Sequence, residues 1–241
     1  MGLSREIKFK RILLKLSGES LAGDAKIGIS VSHLKYFSQE VKSVFDLGVQ
    51  VAIVIGGGNI FRGISSDDFN IARDEADKMG MLATVINALA LKSAFEKENL
   101  PARVLSSIPV GTFVEPFSNE SAIQHLNAGR IVILAGGTGN PYFTTDTAGV
   151  LRAIEIDAEA ILKGTRVDGV YNADPEKFED AILFDHLTYM EVVQRKLKVM
   201  DITAITLAME NQLPIIVFNF NKSGNLKKVV MGEPVGTKVQ G

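Results

Sequence analysis

Short, nearly continuous apolar runs alternate along the chain with stretches whose apolar residues recur at helical spacing. Ile12–Leu16, Val49–Ile55, Ala102–Leu105, Ile131–Leu134, Ala160–Lys163 and Ile215–Phe218 have the length and continuity of strands covered on both faces, the habit of a parallel sheet. Between the first two, Leu34, Phe37, Val41, Val44 and Phe45 mark one face of a helix, with Ser32 as a candidate N-cap and Gly48 just past its end. A long helix is expected from about Ile71 to Glu98, stopping before Leu100-Pro101. Ala122, Ile123 and Leu126 mark a short helix, and another runs from Thr145 to about Ile156 with Thr144 or Thr145 as its cap. Thr188 followed three residues on by Glu191 is a capping box, and Asp201 is a further helix cap. Strands alternating with helices predict an α/β sandwich on a mainly parallel sheet. No tandem repeat or long linker interrupts the rhythm, so the one expected boundary is a change of lobe near Thr165.

Composition narrows the possibilities. A chain of 241 residues with 46% apolar and 22% charged residues can bury a large core, as one big domain or two close lobes. A net charge of -2 gives nucleic acid no place as the main partner. Zero cysteines exclude disulfide frameworks, thiolate zinc sites and cysteine nucleophiles. The opening residues MGLSREIKFKR lack an apolar signal core, and no serine or threonine stands where Gly2 would need one for myristoylation. The longest apolar segment, Met79–Leu91, is broken by Gly80, Thr84 and Asn87 and is too short to span a bilayer. A cytoplasmic protein without a membrane partner is expected.

The candidate chemistry lies where the strands end, because open parallel sheets bind ligands at the carboxyl ends of their strands. The first run ends in Lys15-Leu16-Ser17-Gly18 and the second in Gly56-Gly57-Gly58-Asn59, followed by Arg62 and Gly63. The run from Ile131 breaks into Gly136-Gly137-Thr138-Gly139-Asn140-Pro141-Tyr142-Phe143-Thr144-Thr145 and then a helix. Strand, glycine-rich turn and helix N-terminus in that order make a phosphate site, since free amides and the positive end of the helix dipole face one point. Asp146 in that place would repel a phosphate, so lysines are expected between them. The next run supplies Lys163-Gly164-Thr165, then Asp168-Gly169-Val170-Tyr171 and Asp174-Pro175.

Two familiar fingerprints fail. Neither glycine cluster supplies the third glycine of G-x-G-x-x-G, and no Walker A sequence is present. Gly18-Glu19-Ser20-Leu21-Ala22 lacks the closing glycine of a nucleophile elbow. His33, His125 and His186 have no partner at metal-ligand spacing and read as packing or surface residues.

The strings KLSGES, VIGGGNIFRG, ADKMGMLATVIN, GGTGNPYFTTDTA, VDGVY followed by ADP, and VFN, in that order from Lys10 to about Gly232, resemble the bacterial uridylate kinases of the amino acid kinase family. The resemblance implies a three-layer α/β/α fold around a mainly parallel sheet of about eight strands, a homohexamer, and transfer of phosphate from Mg-ATP to UMP in pyrimidine nucleotide synthesis. It implies a UMP-binding lobe over about 1–164 and an ATP-binding lobe over about 165–241 of one domain. ATP is expected at Lys15, Leu16, Ser17, Gly18, Gly58, Arg62, Thr165, Tyr171 and Asp174. UMP is expected at Gly57, Asp77 and Thr138–Thr145. Lys15 and Lys163 would neutralise the moving phosphoryl group, with Asp146 holding them in place. From spacing alone, Asp77 would be a polar helix face, and Tyr171 reads equally as a packing residue or as one that stacks on adenine.

Family members are commonly activated by GTP and inhibited by UTP, and Gly23-Asp24-Ala25-Lys26-Ile27-Gly28 corresponds to the loop associated with GTP. Without the resemblance that stretch is a hairpin or surface turn. Arg103 and Arg130 are candidates for an effector phosphate between subunits, whereas Phe117-Ser118-Asn119-Glu120 has no arginine where many relatives are basic. Two other functions remain open: a kinase of the same fold acting on a small carboxylate or carbamate, and a nucleotide sensor without turnover. Lysines aimed at a transferring group speak against the sensor.

Overall fold

The apolar runs pair into one nine-stranded sheet in a computed structural model that describes residues 7–25, 27–61 and 71–241, with Asp24 by its backbone alone. The strands are β1 Arg11–Leu16, β2 Gln50–Ile55, β3 Ala102–Ser106, β4 Glu115–Pro116, β5 Ile131–Ala135 and β6 Ala160–Thr165, then β9 His186–Leu187, β10 Ile215–Asn219 and β11 Thr237–Val239. A separate antiparallel pair consists of β7 Val170–Tyr171 and β8 Leu183–Phe184. The sheet order is β4-β3-β5-β2-β1-β6-β10-β11-β9, parallel from β4 to β10, with β11 antiparallel to β10. Nine strands answer to the expected sheet of about eight. The short β4, β9 and β11 carry too few residues for an apolar run to announce them.

The helices are α1 Glu19–Ala22, α2 Val31–Phe45, α3 Arg73–Lys97, α4 Asn119–Asn127, α5 Thr145–Glu155, α6 Tyr189–Gln194, α7 Ile202–Glu210 and α8 Asn225–Val230. They cover both faces, as a sheet buried on both sides requires. Ile12, Leu14 and Leu16 of β1 pack with Phe37 and Val41 of α2, Leu91 and Phe95 of α3 and Leu226 of α8. Leu13 faces the other way, into a second core with Val150 of α5, Leu126 of α4, Val192 of α6 and Ile205 of α7. Fully burying one such leucine or phenylalanine is worth about 1.5–3 kcal/mol, so these two layers carry the fold.

Local signals behave unevenly. Thr144 caps α5 by accepting from the N–H groups of Asp146 and Thr147, and the Thr188–Glu191 capping box on α6 is complete. Asp201 caps α7, accepting from the Ala204 N–H. The N-cap of α2 is Ser30 and not Ser32, which lies inside the first turn with its hydroxyl 2.8 Å from that of Ser30. Gly23–Ala25 forms a single 3-10 turn rather than a hairpin.

Strand order explains why the glycine turns meet. β1 lies in the middle, with β2 and then β5 on one side and β6 and then β10 on the other, so β5, β2, β1 and β6 are consecutive neighbours. Their carboxyl ends open together on one rim of the sheet, at a switch point where the connections diverge.

Candidate active site

Parallel register sets Lys15 of β1 beside Lys163 of β6, so the two side chains leave the sheet on the same face as neighbours. That is the face Leu13 shares with α5, and the first turn of α5 brings Asp146 between them. Lys15 pairs with Asp146 Oδ1, and Lys163 Nζ lies 3.0 Å from Oδ2. All three are largely withdrawn from water, with side-chain exposures of 10%, 17% and 15% for Lys15, Asp146 and Lys163. Burial alone would push the Asp146 carboxyl up, but the ammonium groups of Lys15 and Lys163 outweigh it and hold the carboxyl below its ordinary value. Burial pulls Lys163 below the ordinary lysine value and the charge of Lys15 adds to this, while Asp146 restores part of it. Lys163 also donates to the Val199 carbonyl. One carboxylate between two ammonium groups leaves one positive charge at the start of a helix, where the dipole adds to it and the charge of Asp201 offsets part of it: a site suited to an anion.

Asp201 extends the cluster. It accepts from the Thr144 hydroxyl and, at 3.0 Å, from that of Thr147, which ties α7 to the first turn of α5. Sequence reading gave it only a cap, because Thr144 and Thr147 lie more than fifty positions away; the cap and the cross-tie are both present.

The glycine turns form the rim. Gly136, Gly137 and Gly139 have φ of 78°, 59° and 83°, backbone that side chains with a Cβ disfavour. The Gly136 N–H donates to Thr84 Oγ1 of α3 at 2.8 Å, and Ser107 Oγ donates to the Gly137 carbonyl at 3.0 Å. Arg152 of α5, buried at 4% exposure, donates to Ser107 Oγ at 2.7 Å and lies 4.0 Å from the Phe117 ring centre. Sequence reading gave Arg152 no role, since nothing in a helical pattern marks a charge as buried. Gly18 is required by contact: a Cβ there would lie 2.4 Å from both the Gly56 carbonyl oxygen and Asn59 Oδ1.

Two cavities open near this cluster, one through Thr144 and Thr145 and the other at Lys163. The first, about 790 Å³, is lined by Gly57, Gly58, Asp77, Thr84, Thr138, Asn140, Phe143, Thr144 and Thr145, with Glu19, Phe61, Arg73 and Met81 among the others. Gly139, Pro141 and Tyr142 stand beside that lining rather than in it. The Tyr142 N–H donates to Asp77 Oδ2 at 2.8 Å, and Arg73 Nε donates to both Asp77 oxygens. Asp77 is therefore engaged at the cavity wall and is no solvated polar face. Gly58, expected with ATP, lines this first cavity beside Gly57.

The second cavity, about 510 Å³, is lined by Lys163, Thr165, Tyr171 and Asp174, with Arg166, Arg195, Lys196, Leu197, Lys198 and Val199. Sequence reading missed the cations at 195–198, which follow a helix rather than a sheet strand. Ser17 Oγ accepts from the Glu19 N–H at 3.3 Å, and Leu16 is fully buried, its carbonyl accepting from the Gly56 N–H at 3.0 Å. Arg62, Gly63 and Lys26 lie outside the described residues. Among the other expected effector residues, Gly28 pairs with Asn59, Arg103 lies 3.6 Å from Glu115, and Arg130 contacts His125 at 2.9 Å.

Comparison with known proteins shows the family and the fold. The model of the amino acid kinase family matches residues 10–219. A uridylate kinase of Limosilactobacillus reuteri (strain DSM 20016) is 54% identical over 237 residues, 98% of this chain and 99% of that protein. The UMP kinase of Bacillus anthracis superposes with a TM-score of 0.94 at 42% identity, covering 96% of both chains. That of Ureaplasma parvum gives 0.91 at 34% identity, covering 98% of this chain and 100% of the other.

Proposed function

The chain belongs to the amino acid kinase family, among its uridylate kinases, and from that premise we propose that it transfers the γ-phosphoryl group of ATP to UMP, releasing ADP and UDP. The observation that carries the reading is Asp146 held between Lys15 and Lys163, with one nucleotide-sized cavity reaching the N-terminus of its helix through Thr144 and Thr145 and a second lined by Lys163. UMP occupies the first cavity and ATP the second, so the lobe up to about residue 164 presents the acceptor and the rest of the chain chiefly the donor. Magnesium enters as part of the donor, on the nucleotide's phosphates, as this small and strongly hydrated ion usually does.

The chemistry needs little covalent help from the protein. A phosphate monoester with a second pKa near ~6 is a dianionic nucleophile at neutral pH, so the acceptor needs no base. The transition state spreads charge over the moving group, and catalysis is placement and neutralisation. Lys15 and Lys163 neutralise that charge from one side of the sheet; Asp146 sets their spacing; Asp201, through Thr144 and Thr147, holds the helix that carries Asp146. The amides of the glycine turns and the first turn of α5 face the same anions.

Assembly and control follow the family resemblance: a cytoplasmic homohexamer in pyrimidine nucleotide synthesis, activated by GTP and inhibited by UTP. An outward apolar stripe on α3, Met79, Leu82, Ile86 and Leu89, each 38–50% exposed, supports self-association. Among the described residues no helix is long and apolar enough to cross a membrane. GTP should raise the rate saturably at subsaturating ATP, and a flat titration would remove that activation.

A coupled assay of ADP release tests the reaction itself. UMP should support turnover far better than CMP, carbamate, acetylglutamate or aspartate. A preference for carbamate or a carboxylate would assign the chain a different acceptor, and UMP binding without turnover would make it a sensor.

A further inference from the structure

Beneath the rim lies a buried polar contact that the reaction scheme leaves unused. Asn59, at the end of the turn after β2, is 1% exposed, and Asn87, midway along α3, is fully buried. Their carboxamides form a reciprocal pair: Asn59 Nδ2 donates to Asn87 Oδ1 at 3.0 Å and Asn87 Nδ2 donates to Asn59 Oδ1 at 2.7 Å. Each amide spends its second N–H on a backbone carbonyl, Asn59 on Gly28 at 2.7 Å and Asn87 on Gly56 at 2.8 Å. All four N–H donors and both side-chain oxygens are thus used, and the two backbone carbonyls fix which way each amide faces. A fully satisfied network of this kind is rigid, whereas one missing member leaves costly unpaired groups.

Three chain segments meet on this pair. The Gly56–Asn59 turn lines the first cavity through Gly57 and Gly58. The Ser17-Gly18 segment, which follows Lys15, lies so close to Gly56 and Asn59 Oδ1 that only glycine fits at position 18. The Gly28 N–H returns a bond of 2.8 Å to the Asn59 carbonyl, attaching the loop that ends at Gly28. A shift of either amide would therefore move the turn on the acceptor side and the segment beside Lys15 together.

We infer that Asn59 and Asn87 are positioning residues for phosphoryl transfer, a buried amide clamp that sets the separation between the acceptor turn and the Lys15–Gly18 segment. The inference rests on the kinase reading above and deepens it. Neither residue need touch a nucleotide; both act through the backbone they hold.

The test compares Asn87→Leu and Asn59→Leu with the double variant carrying both changes. Each single variant strands its partner's buried amide and should lower the melting temperature. Replacing both members removes the stranded amides and leaves only the Gly28 and Gly56 carbonyls without their donors, so the double variant should lose less than the two single variants summed. Its turnover should not recover: kcat should stay about 10²-fold down, the loss expected when reacting groups sit about an ångström out of place, and the KM values for UMP and ATP should rise together. Recovery of kcat along with the melting temperature would show the pair to be structural only. A rise in KM for one nucleotide alone would break the claim that the clamp joins both sides. Wild-type turnover with UMP decides the kinase reading separately, because every variant is scored against it.

Discussion

The two cavities near the lysine cluster are built on opposite plans. The acceptor cavity is defined by backbone held from beneath, through Thr84, Ser107, the Asn59–Asn87 pair and the buried Arg152. Among its described lining residues the charged side chains are Arg73, Asp77 and Glu19. The donor cavity is defined by charge, with Lys163, Arg166, Arg195, Lys196 and Lys198 against Asp174 and Glu176. Its lining includes Val170 and Tyr171 of the short β7, beside Lys163, Thr165 and Val217 of the main sheet. The difference matches the two ligands proposed for them. A monophosphate must be placed accurately to attack in line, which favours a stiff floor; a triphosphate brings several charges that must be balanced, which favours many cations.

The largest expected effect lies between the two plans, at Asp146. Asp146→Asn should lower kcat by about 10²–10³-fold, the scale for losing one preorganised electrostatic group. The KM values for both nucleotides should stay near wild type, because the cavity walls are intact. Near-normal turnover would end the account in which Asp146 spaces the lysines. Because burial and Lys15 depress Lys163, and Lys163 must be protonated to neutralise charge, kcat should fall on the alkaline side at a lower pH than free lysine would impose. The acid side has its own sign. The Asp146 carboxyl is held below 3.8 in the folded protein, so its contribution to stability is complete above that value and is lost as pH falls through the folded one. Unfolding curves of wild type and Asp146→Asn should therefore converge on acidification.

A second change separates the plans. Arg195→Ala combined with Lys198→Ala should raise the KM for ATP by about 10–100-fold, the worth of one or two charge-assisted hydrogen bonds. The KM for UMP should stay within about twofold. Equal effects on both nucleotides would mean that the donor cavity is misassigned.

How far the sequence disclosed these plans depends on whether the signal is local. The central strands were legible because a parallel strand is apolar throughout, and the turns after them because glycine clusters interrupt such runs abruptly. Lys15 and Lys163 were found by their place at strand ends, and Thr144 by its place at a helix start. The acceptor floor was not legible: Asn87 sits inside an apolar helical pattern as an interruption, and only folding brings Asn59 to it across 28 positions. Asp201 was read as a cap, which it is, yet its contact with Thr147 spans 54 positions. Ser30 and Ser32 were equally placed to start α2, and the sequence offers nothing to rank two hydroxyls two residues apart. The 195–198 cations lie on a turn after a short helix, where like charges usually face solvent.

A third change tests the stiff floor at a single bond. Thr84→Val keeps the shape of the side chain but removes the hydroxyl that accepts from the Gly136 N–H. Leaving that buried amide unpaired costs about 1–3 kcal/mol. Part of this loss should appear as an about fivefold rise in the KM for UMP. The KM for ATP should not move, since the Gly136–Asn140 turn borders only the acceptor cavity. A parallel rise for ATP would mean that the two floors are coupled through α3 as a whole rather than through the amide clamp.

The smallest effect falls on the donor side, where α6 leads directly into the cations at 195–198. Thr188 and Glu191 close a capping box at the start of that helix, and Glu191 is held below the ordinary carboxylate value by its bonds to Thr188. Thr188→Ala removes the hydroxyl's two bonds, from the Glu191 N–H and to Glu191 Oε2, and should cost about 1 kcal/mol in chemical denaturation. A short helix with a frayed first turn still delivers Arg195 and Lys198 to the cavity, because Val192 and Val199 remain anchored in the core. The KM for ATP should therefore rise by no more than about twofold, well below the effect of removing the cations. If this cap mattered as much as the charges it precedes, the donor cavity too would depend on held backbone, and the contrast between the two sides would disappear.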